Sequence, residues 1–139
     1  MATSSSPPVS PRRPVRVLVV DDERSICRAL TLALGRAGYE VRATESAEQA
    51  QSLLQQESFD CLVVDLHIPD MRGDVLFEIA AALRPSLRTR TIFTTGDLSD
   101  RADALIGACN CPVLLKPFDL SELIATVGRL TACAQDASA

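Results

Sequence analysis

The sequence has few positive charges, a single lysine, a single histidine and no long apolar run. Its 14 Lys and Arg residues are outnumbered by 18 Asp and Glu, which gives a formal net charge of −4. Because a protein that grips nucleic acid needs a basic face, this balance argues against direct nucleic-acid binding. No apolar run approaches membrane-spanning length and the N-terminus has no apolar signal region, so we expect a cytoplasmic protein without a membrane partner. The five cysteines, an odd number, are expected to be reduced thiols.

The chain of 139 residues is long enough for one domain with a real hydrophobic core. Residues 1–14 are rich in Ser and Pro and are predicted to form a disordered arm. Residues 15–131 are predicted to be the folded domain, and residues 132–139 a flexible tail. The basic residues near the first boundary are expected to be merely solvated: Arg12, Arg13 and Arg16.

Along the folded part, the hydrophobic period switches repeatedly between that of a buried strand and that of an amphipathic helix. Residues 15–20 and 61–64 are nearly unbroken apolar runs, typical of strands buried on both faces. The remaining strands are predicted at 39–42, 91–94 and 113–115. Helices are predicted at 23–36, from 46 (with Ser46 and Gln49 as a capping box), at 74–83, at 100–108 and from 119.

Five strands that alternate with five helices predict an α/β fold with a doubly wound parallel sheet and right-handed crossovers. The natural solution for five strands is the flavodoxin-like order 2-1-3-4-5. In such a sheet the ligand site lies beyond the carboxyl ends of the strands.

Polar side chains stand at the carboxyl ends of four predicted strands. Asp21 and Asp22 follow the first strand, Asp65 the third and Lys116 the fifth, while Thr95 ends the run Thr-Ile-Phe-Thr-Thr at the fourth. Because the carboxyl ends of parallel strands share one edge of the sheet, these side chains should converge. Three crowded carboxylates repel one another, so they would be protonated or bound to a cation, for which Mg²⁺ is the abundant candidate.

The position of the single lysine supports this convergence. If the lysine could occupy any basic position of the chain with equal chance, it would rarely fall at the predicted site. All other basic residues of the chain, apart from the one histidine, are arginines. A compact ammonium on a flexible stem serves as a point charge for a phosphoryl oxygen, whereas a planar guanidinium fits differently.

Taken together, the motifs resemble the receiver domains of bacterial two-component response regulators over roughly residues 15–131. They are Val-Asp-Asp at 20–22, Asp-Leu-His-Ile-Pro-Asp-Met-Arg-Gly at 65–73, Thr-Gly-Asp at 95–97 and Lys-Pro-Phe at 116–118. Their order, and their position at the predicted strand ends, make the resemblance specific.

The resemblance implies that Asp65 is the nucleophile that attacks a phosphohistidine of a sensor histidine kinase or histidine phosphotransfer protein. It also implies that Mg²⁺ is held by Asp22, Asp65 and the backbone carbonyl of His67, with Asp21 acting through water. Such a domain catalyses its own phosphorylation and slow dephosphorylation and is otherwise a signalling switch, not an enzyme.

The same resemblance implies that Thr95 and Lys116 bind the phosphoryl oxygens and that Gly96 leaves room for these oxygens. The Lys116–Pro117 peptide bond is expected to be cis. His67 and Asp97 flank the expected path of an attacking water, and we expect them to set the lifetime of the phosphate. An equally good alternative is that His67 is an ordinary exposed loop histidine with no such role.

One departure from the family pattern concerns the switch. Receivers usually carry Tyr or Phe three residues before the lysine, and this chain has Val113. A stiff β-branched side chain cannot swing as a ring does. We therefore expect the switch to rely on the loop after Thr95 and on the predicted helix at 100–108.

Several alternatives remain open. The chain could be a phosphorelay intermediate, a switch that docks on a downstream protein, or a receiver excised from a hybrid histidine kinase. We expect no DNA-binding output domain in this chain, because the predicted folded domain takes up most of its residues. An aspartyl-phosphate hydrolase of the haloacid dehalogenase type would carry a second Asp where His67 stands. A flavodoxin-like redox module would need a Ser/Thr/Gly-rich loop in place of Asp-Asp-Glu-Arg.

Cys109 and Cys111 are too close in sequence for a common zinc site and are expected to be buried small hydrophobes.

Overall fold

The computed structural model describes residues 13–97, 99 and 111–137, with side chains described as far as residue 132. The five main strands are β1 (Arg16–Val20), β2 (Glu40–Thr44), β3 (Cys61–Asp65), β4 (Thr91–Thr95) and β5 (Val113–Leu115). The helices are α1 (Arg24–Arg36), α2 (Ala47–Gln56), α3 (Gly73–Leu83) and α4 (Leu120–Ala137), with a 3₁₀ helix at Pro85–Thr89. A short antiparallel pair joins His67–Ile68 to Met71–Arg72.

The five main strands form one parallel sheet in the order β2-β1-β3-β4-β5. This confirms the predicted doubly wound topology. The predicted helix at 100–108 and nearly all of the predicted arm lie outside the described residues. No helix in the part of the chain that the structure describes has the length and apolar character needed to cross a membrane.

Two apolar layers cover the sheet, one on each face, because successive strand residues point to opposite sides. Every residue of β3 is buried, as its unbroken apolar run predicted. On one face β1, β3 and β4 contribute Leu18, Val20, Leu62, Val64 and Phe93, against Ala50, Leu54, Leu76, Phe77 and Ala80 of α2 and α3. On the other, Val17, Val19, Val63 and Ile92 pack against Leu30, Leu34, Leu123 and Val127 of α1 and α4.

Only half of the capping box predicted for α2 forms. Ser46 Oγ accepts the backbone N–H of Gln49 at 3.2 Å, as predicted. The Gln49 side chain does not return to the Ser46 N–H, because it accepts a hydrogen bond from the Thr44 hydroxyl at 2.9 Å. The same hydroxyl accepts the Ser46 N–H at 3.2 Å, so Thr44 at the end of β2 takes the place of Gln49 in the box.

The prediction that the first basic residues are merely solvated is wrong for Arg13 and Arg16, while Arg12 lies outside the described residues. The Arg13 guanidinium donates to both oxygens of Asp60, at 2.6 and 2.7 Å. Arg16 donates its backbone N–H to Asp60 at 2.9 Å and pairs its side chain with Glu57. Burial alone would raise the pKa of Asp60, but these bonds outweigh it and lower the pKa. A buried carboxylate needs such partners, which explains why the arginines are held.

Candidate functional site

The carboxyl edge of the sheet gathers acidic side chains from β1 and β3. Asp21 directly follows β1 and Asp65 is the last residue of β3; both are buried, at 2% and 5% exposure. Asp22 is exposed next to them. One oxygen from each of the three carboxylates lies within 4.8 Å of the others. The structure therefore brings together the three aspartates that the sequence placed at a common site.

Lys116 reaches into this cluster from the end of β5. Its Nζ lies 2.8 Å from Asp65 Oδ2, 2.9 Å from Asp21 Oδ2 and 3.2 Å from Glu23 Oε1. Burial alone would lower the pKa of Lys116, but the hydrogen bonds to Asp65 and Asp21 raise it above its usual range. The ammonium therefore stays charged. The Lys116–Pro117 peptide bond is cis, which confirms the expectation.

Two neighbours hold Asp21 in place. Its Oδ1 accepts the backbone N–H of Glu23 at 2.9 Å, and its backbone carbonyl lies 3.2 Å from the Cys27 Sγ. Burial raises the pKa of Asp21, although the Glu23 N–H and Lys116 oppose it. Burial and the negative charge of Asp21 also raise the pKa of Cys27, to about 11, so its thiol stays protonated and serves as a donor. No motif in the sequence singles out Cys27.

The backbone around Asp65 is fixed by α3. Asp65 Oδ1 accepts the His67 N–H at 2.9 Å, and the Leu66 carbonyl accepts the Gly73 N–H at 3.0 Å. A Cβ on Gly73 would stand 2.9 Å from the Asp65 carbonyl carbon and the Leu66 Cα, and closer still to the Asp65 carbonyl oxygen. Only glycine lets the first turn of α3 approach Asp65 this closely.

The loop between β3 and α3 is also tied to α2. Asp70 accepts the backbone N–H groups of Ala47 and Glu48, each at 3.0 Å, and these bonds lower its pKa. A carboxylate here satisfies free donors in the first turn of a helix and complements the helix dipole. The sequence marks Asp70 only as part of a motif, because the partner helix lies more than twenty residues upstream.

The Thr95 hydroxyl is bonded within its own loop. It accepts the Asp97 N–H at 3.1 Å and lies 3.4 Å from the Asp97 carbonyl oxygen. The Asp97 carboxylate is exposed and accepts from the Ser99 N–H and hydroxyl, at 2.9 and 2.8 Å. These bonds, with a smaller contribution from His67, lower the pKa of Asp97. Thr95 is thus at the predicted strand end, but its described hydrogen bonds do not reach Asp65.

The other predicted positions flank this centre. His67 is exposed two residues after Asp65, and a Cβ on Gly96 would meet no atom within 4 Å among the described residues. Val113 is buried in the core on the side of α2 and α3. Cys111 is buried, as expected, with Sγ 3.5 Å from the Arg88 carbonyl oxygen, while Cys109 lies outside the described residues.

This fold, with acidic residues and one lysine at the carboxyl edge of its sheet, defines the receiver class of signalling domains. Residues 17–128 match the response regulator receiver domain family, and the chain belongs to it. It is therefore a response-regulator receiver domain of a two-component system.

Individual relatives agree with the family. The chain is 35% identical over 119 residues to the DNA-binding transcriptional regulator NtrC of Azospirillum brasilense, a match that covers 81% of this chain and 23% of that protein. It is 32% identical over 117 residues to the response regulator receiver protein CpdR of Brucella abortus, covering 83% of this chain and 95% of that one. The chain spans only 24% to 43% of the length of three further curated relatives that it matches.

The fold is also similar to that of solved receivers. One is a response regulator protein from Burkholderia pseudomallei with a phosphorylated aspartic acid, a calcium ion and citrate. The two chains are 26% identical with a TM-score of 0.72, over 90% of this chain and 73% of that one.

Proposed function

We propose that this receiver domain accepts a phosphoryl group on Asp65, in a Mg²⁺-dependent transfer from a phosphohistidine of a sensor histidine kinase or histidine phosphotransfer protein. The observation that carries the proposal is the placement of Lys116 Nζ 2.8 Å from Asp65 Oδ2, within a cluster of three carboxylates. The phosphorylated aspartic acid in the Burkholderia pseudomallei relative supports it.

The residues at the site fit a hard divalent cation. Three carboxylates whose oxygens lie within 4.8 Å of one another offer the ligands that Mg²⁺ prefers, and burial raises the pKa of one of them. Asp22 and Asp65, with the backbone carbonyl of His67, would hold the ion directly, and Asp21 through water. When bound, Mg²⁺ supplies positive charge to the oxygens of the phosphoryl group.

In the transfer, a carboxylate oxygen of Asp65 forms a bond to phosphorus while the bond from phosphorus to the donor histidine nitrogen breaks. The electron pair of the broken bond stays on the imidazole, which is the leaving group. The phosphoryl group is then bound to Asp65. The His67 N–H fixes the orientation of the Asp65 carboxylate. The Lys116 ammonium neutralises the phosphoryl oxygens, so the chain contributes positioning and electrostatic stabilisation.

Switching would start at Thr95. Its hydroxyl exchanges its bonds within the loop, at 3.1 and 3.4 Å to Asp97, for a bond to the charged phosphoryl group. Because this charge-assisted bond is stronger, it shifts the population toward the conformation in which the loop after Thr95 has moved. Because Val113 is a small, stiff, buried side chain, the movement would be carried by the loop and not by a swinging ring.

The output would be a protein partner, and we place the domain in the cytoplasm with its kinase. Beside Lys116 opens a groove of about 540 Å³ between α1 and the start of α4, lined in part by Ile26, Phe118 and Leu120. Such an apolar groove next to the acceptor supports docking of the protein that gives or receives the phosphoryl group. Phosphotransfer profiling against candidate kinases and phosphotransfer proteins would separate a phosphorelay intermediate from a receiver that belongs to a longer protein.

Intact-mass analysis after incubation with acetyl phosphate tests the proposal. We expect the wild type to gain the mass of one phosphoryl group with Mg²⁺ and none in EDTA, and Asp65→Asn to gain none. Asp60→Asn is a matched control, because Asp60 is equally buried, at 5%, but lies at the opposite end of β3. Equal labelling of the wild type and Asp65→Asn would overturn the proposal.

A further inference from the structure

Glu23, which follows the aspartate pair, is engaged with the lysine of the site. Its Oε1 lies 3.2 Å from Lys116 Nζ, and its side chain is 53% exposed. Glu23 is also the N-cap residue of α1, yet its side chain makes no capping hydrogen bond. Its carboxylate therefore faces the lysine at the end of β5 and does not cap the helix that it begins.

This contact makes the resting environment of Lys116 a set of three carboxylates. An ammonium has three N–H donors, and those of Lys116 are matched by Asp21, Asp65 and Glu23 at 2.9, 2.8 and 3.2 Å. To bind a phosphoryl oxygen, Lys116 must release one of them. The bond to Glu23 is the longest of the three and its carboxylate is the most exposed, so water compensates its loss most readily.

Glu23 also adds to the negative charge at the mouth of the site. With Asp21, Asp22 and Asp65, it brings the number of carboxylates to four against one ammonium. This excess attracts a divalent cation but repels a small anionic phosphodonor.

We propose that Glu23 is a positioning and selectivity residue that holds Lys116 at rest, is displaced from it by the phosphoryl group, and disfavours small anionic phosphodonors. This inference rests on the proposed function of Asp65. In the reaction with acetyl phosphate, an Asp65 oxygen bonds to phosphorus, the bond from phosphorus to the acetyl oxygen breaks, and acetate leaves with its electron pair. Removing the charge of Glu23 lets Lys116 turn to the incoming phosphoryl group and lowers the repulsion of the donor.

The test is Glu23→Gln, which keeps a side-chain oxygen near Lys116 but removes the charge. We expect the apparent second-order rate of labelling by acetyl phosphate, at saturating Mg²⁺ and low salt, to rise roughly threefold. The Mg²⁺ dissociation constant, from calorimetry, should rise about two- to threefold because a nearby negative charge is lost. The rate increase should shrink at high salt. A merely structural defect would slow labelling and weaken Mg²⁺ binding together.

Glu40→Gln is the matched control. Glu40 pairs with Arg16 at 3.2 Å and is 56% exposed, so it resembles Glu23 in contact and exposure but lies at the opposite end of the sheet. We expect wild-type labelling from Glu40→Gln. Unchanged or slower labelling of Glu23→Gln, or an equal rise in Glu40→Gln, would overturn the role of Glu23 while Asp65 remains the acceptor. A wild type that takes up no phosphate would overturn both proposals.

Discussion

Replacing Gly73 with Ala should destabilise the domain and disturb Asp65 together. The new Cβ would stand 2.9 Å from the Asp65 carbonyl carbon and the Leu66 Cα, and closer to the Asp65 carbonyl oxygen. These are backbone atoms, which cannot rotate away as a side chain would. Overpacking of this kind costs about 1–3 kcal/mol, and the better helix propensity of Ala returns up to about 1 kcal/mol. We expect a net loss of about 1–2 kcal/mol in the free energy of unfolding.

Urea denaturation measures this loss, and Gly35→Ala in α1 is the control. A Cβ on Gly35 meets no atom within 4 Å in the described part of the chain, so this variant should gain about 0.5–1 kcal/mol. Gly73→Ala should also accept phosphate more slowly from acetyl phosphate, because its Cβ pushes on the Asp65 backbone. If Gly73→Ala were as stable as the wild type, the close approach of α3 to Asp65 would be refuted.

Two further predictions concern the pair of Arg13 with Asp60 and the lifetime of the phosphate. Arg13→Gln should lower the free energy of unfolding by about 1–2 kcal/mol, because it weakens a pair with a buried carboxylate. Arg24 pairs with Glu45 at 3.2 Å and both side chains are exposed, so Arg24→Gln should change the free energy of unfolding by less than about 0.5 kcal/mol. Because the pKa of Asp60 is lowered in the folded protein, the stability that the pair contributes is present at pH values above the ordinary Asp pKa of 3.8. It is lost as the pH falls through the lower pKa of the folded state. If Arg13→Gln remained less stable than the wild type below that pH, the prediction would be contradicted. Replacing His67 and Asp97 with Ala should change the dephosphorylation rate more than twofold, as measured by loss of the phosphorylated mass, and a smaller change would make them bystanders.

The topology was predictable from the sequence because the buried strands carry their own signal. The unbroken apolar runs of β1 and β3, with amphipathic helices between them, define a parallel sheet covered on both faces. The convergence of Asp21, Asp65 and Lys116 then follows, because the carboxyl ends of parallel strands share one edge.

Contacts between distant segments could not be predicted, because the hydrophobic period of the sequence does not show which segments meet. Gly73 looks like an ordinary loop glycine until α3 is seen against the carbonyl of Asp65. The bidentate pair of Arg13 and Asp60 joins residues 47 positions apart, and the contact of Glu23 with Lys116 spans 93. In each case the residue type was visible, but its partner was set by the packing of the sheet.

The most direct test of the central claim is to locate the phosphate on the chain. After labelling with acetyl phosphate and Mg²⁺, borohydride reduces an aspartyl phosphate to homoserine, and peptide mass spectrometry then identifies the reduced residue. We expect homoserine at position 65 alone, absent without Mg²⁺ and absent in Asp65→Asn. Reduction at Asp21, Asp22 or Asp60, or none at Asp65 in a protein that has gained phosphate, would contradict the assignment of Asp65 as the acceptor.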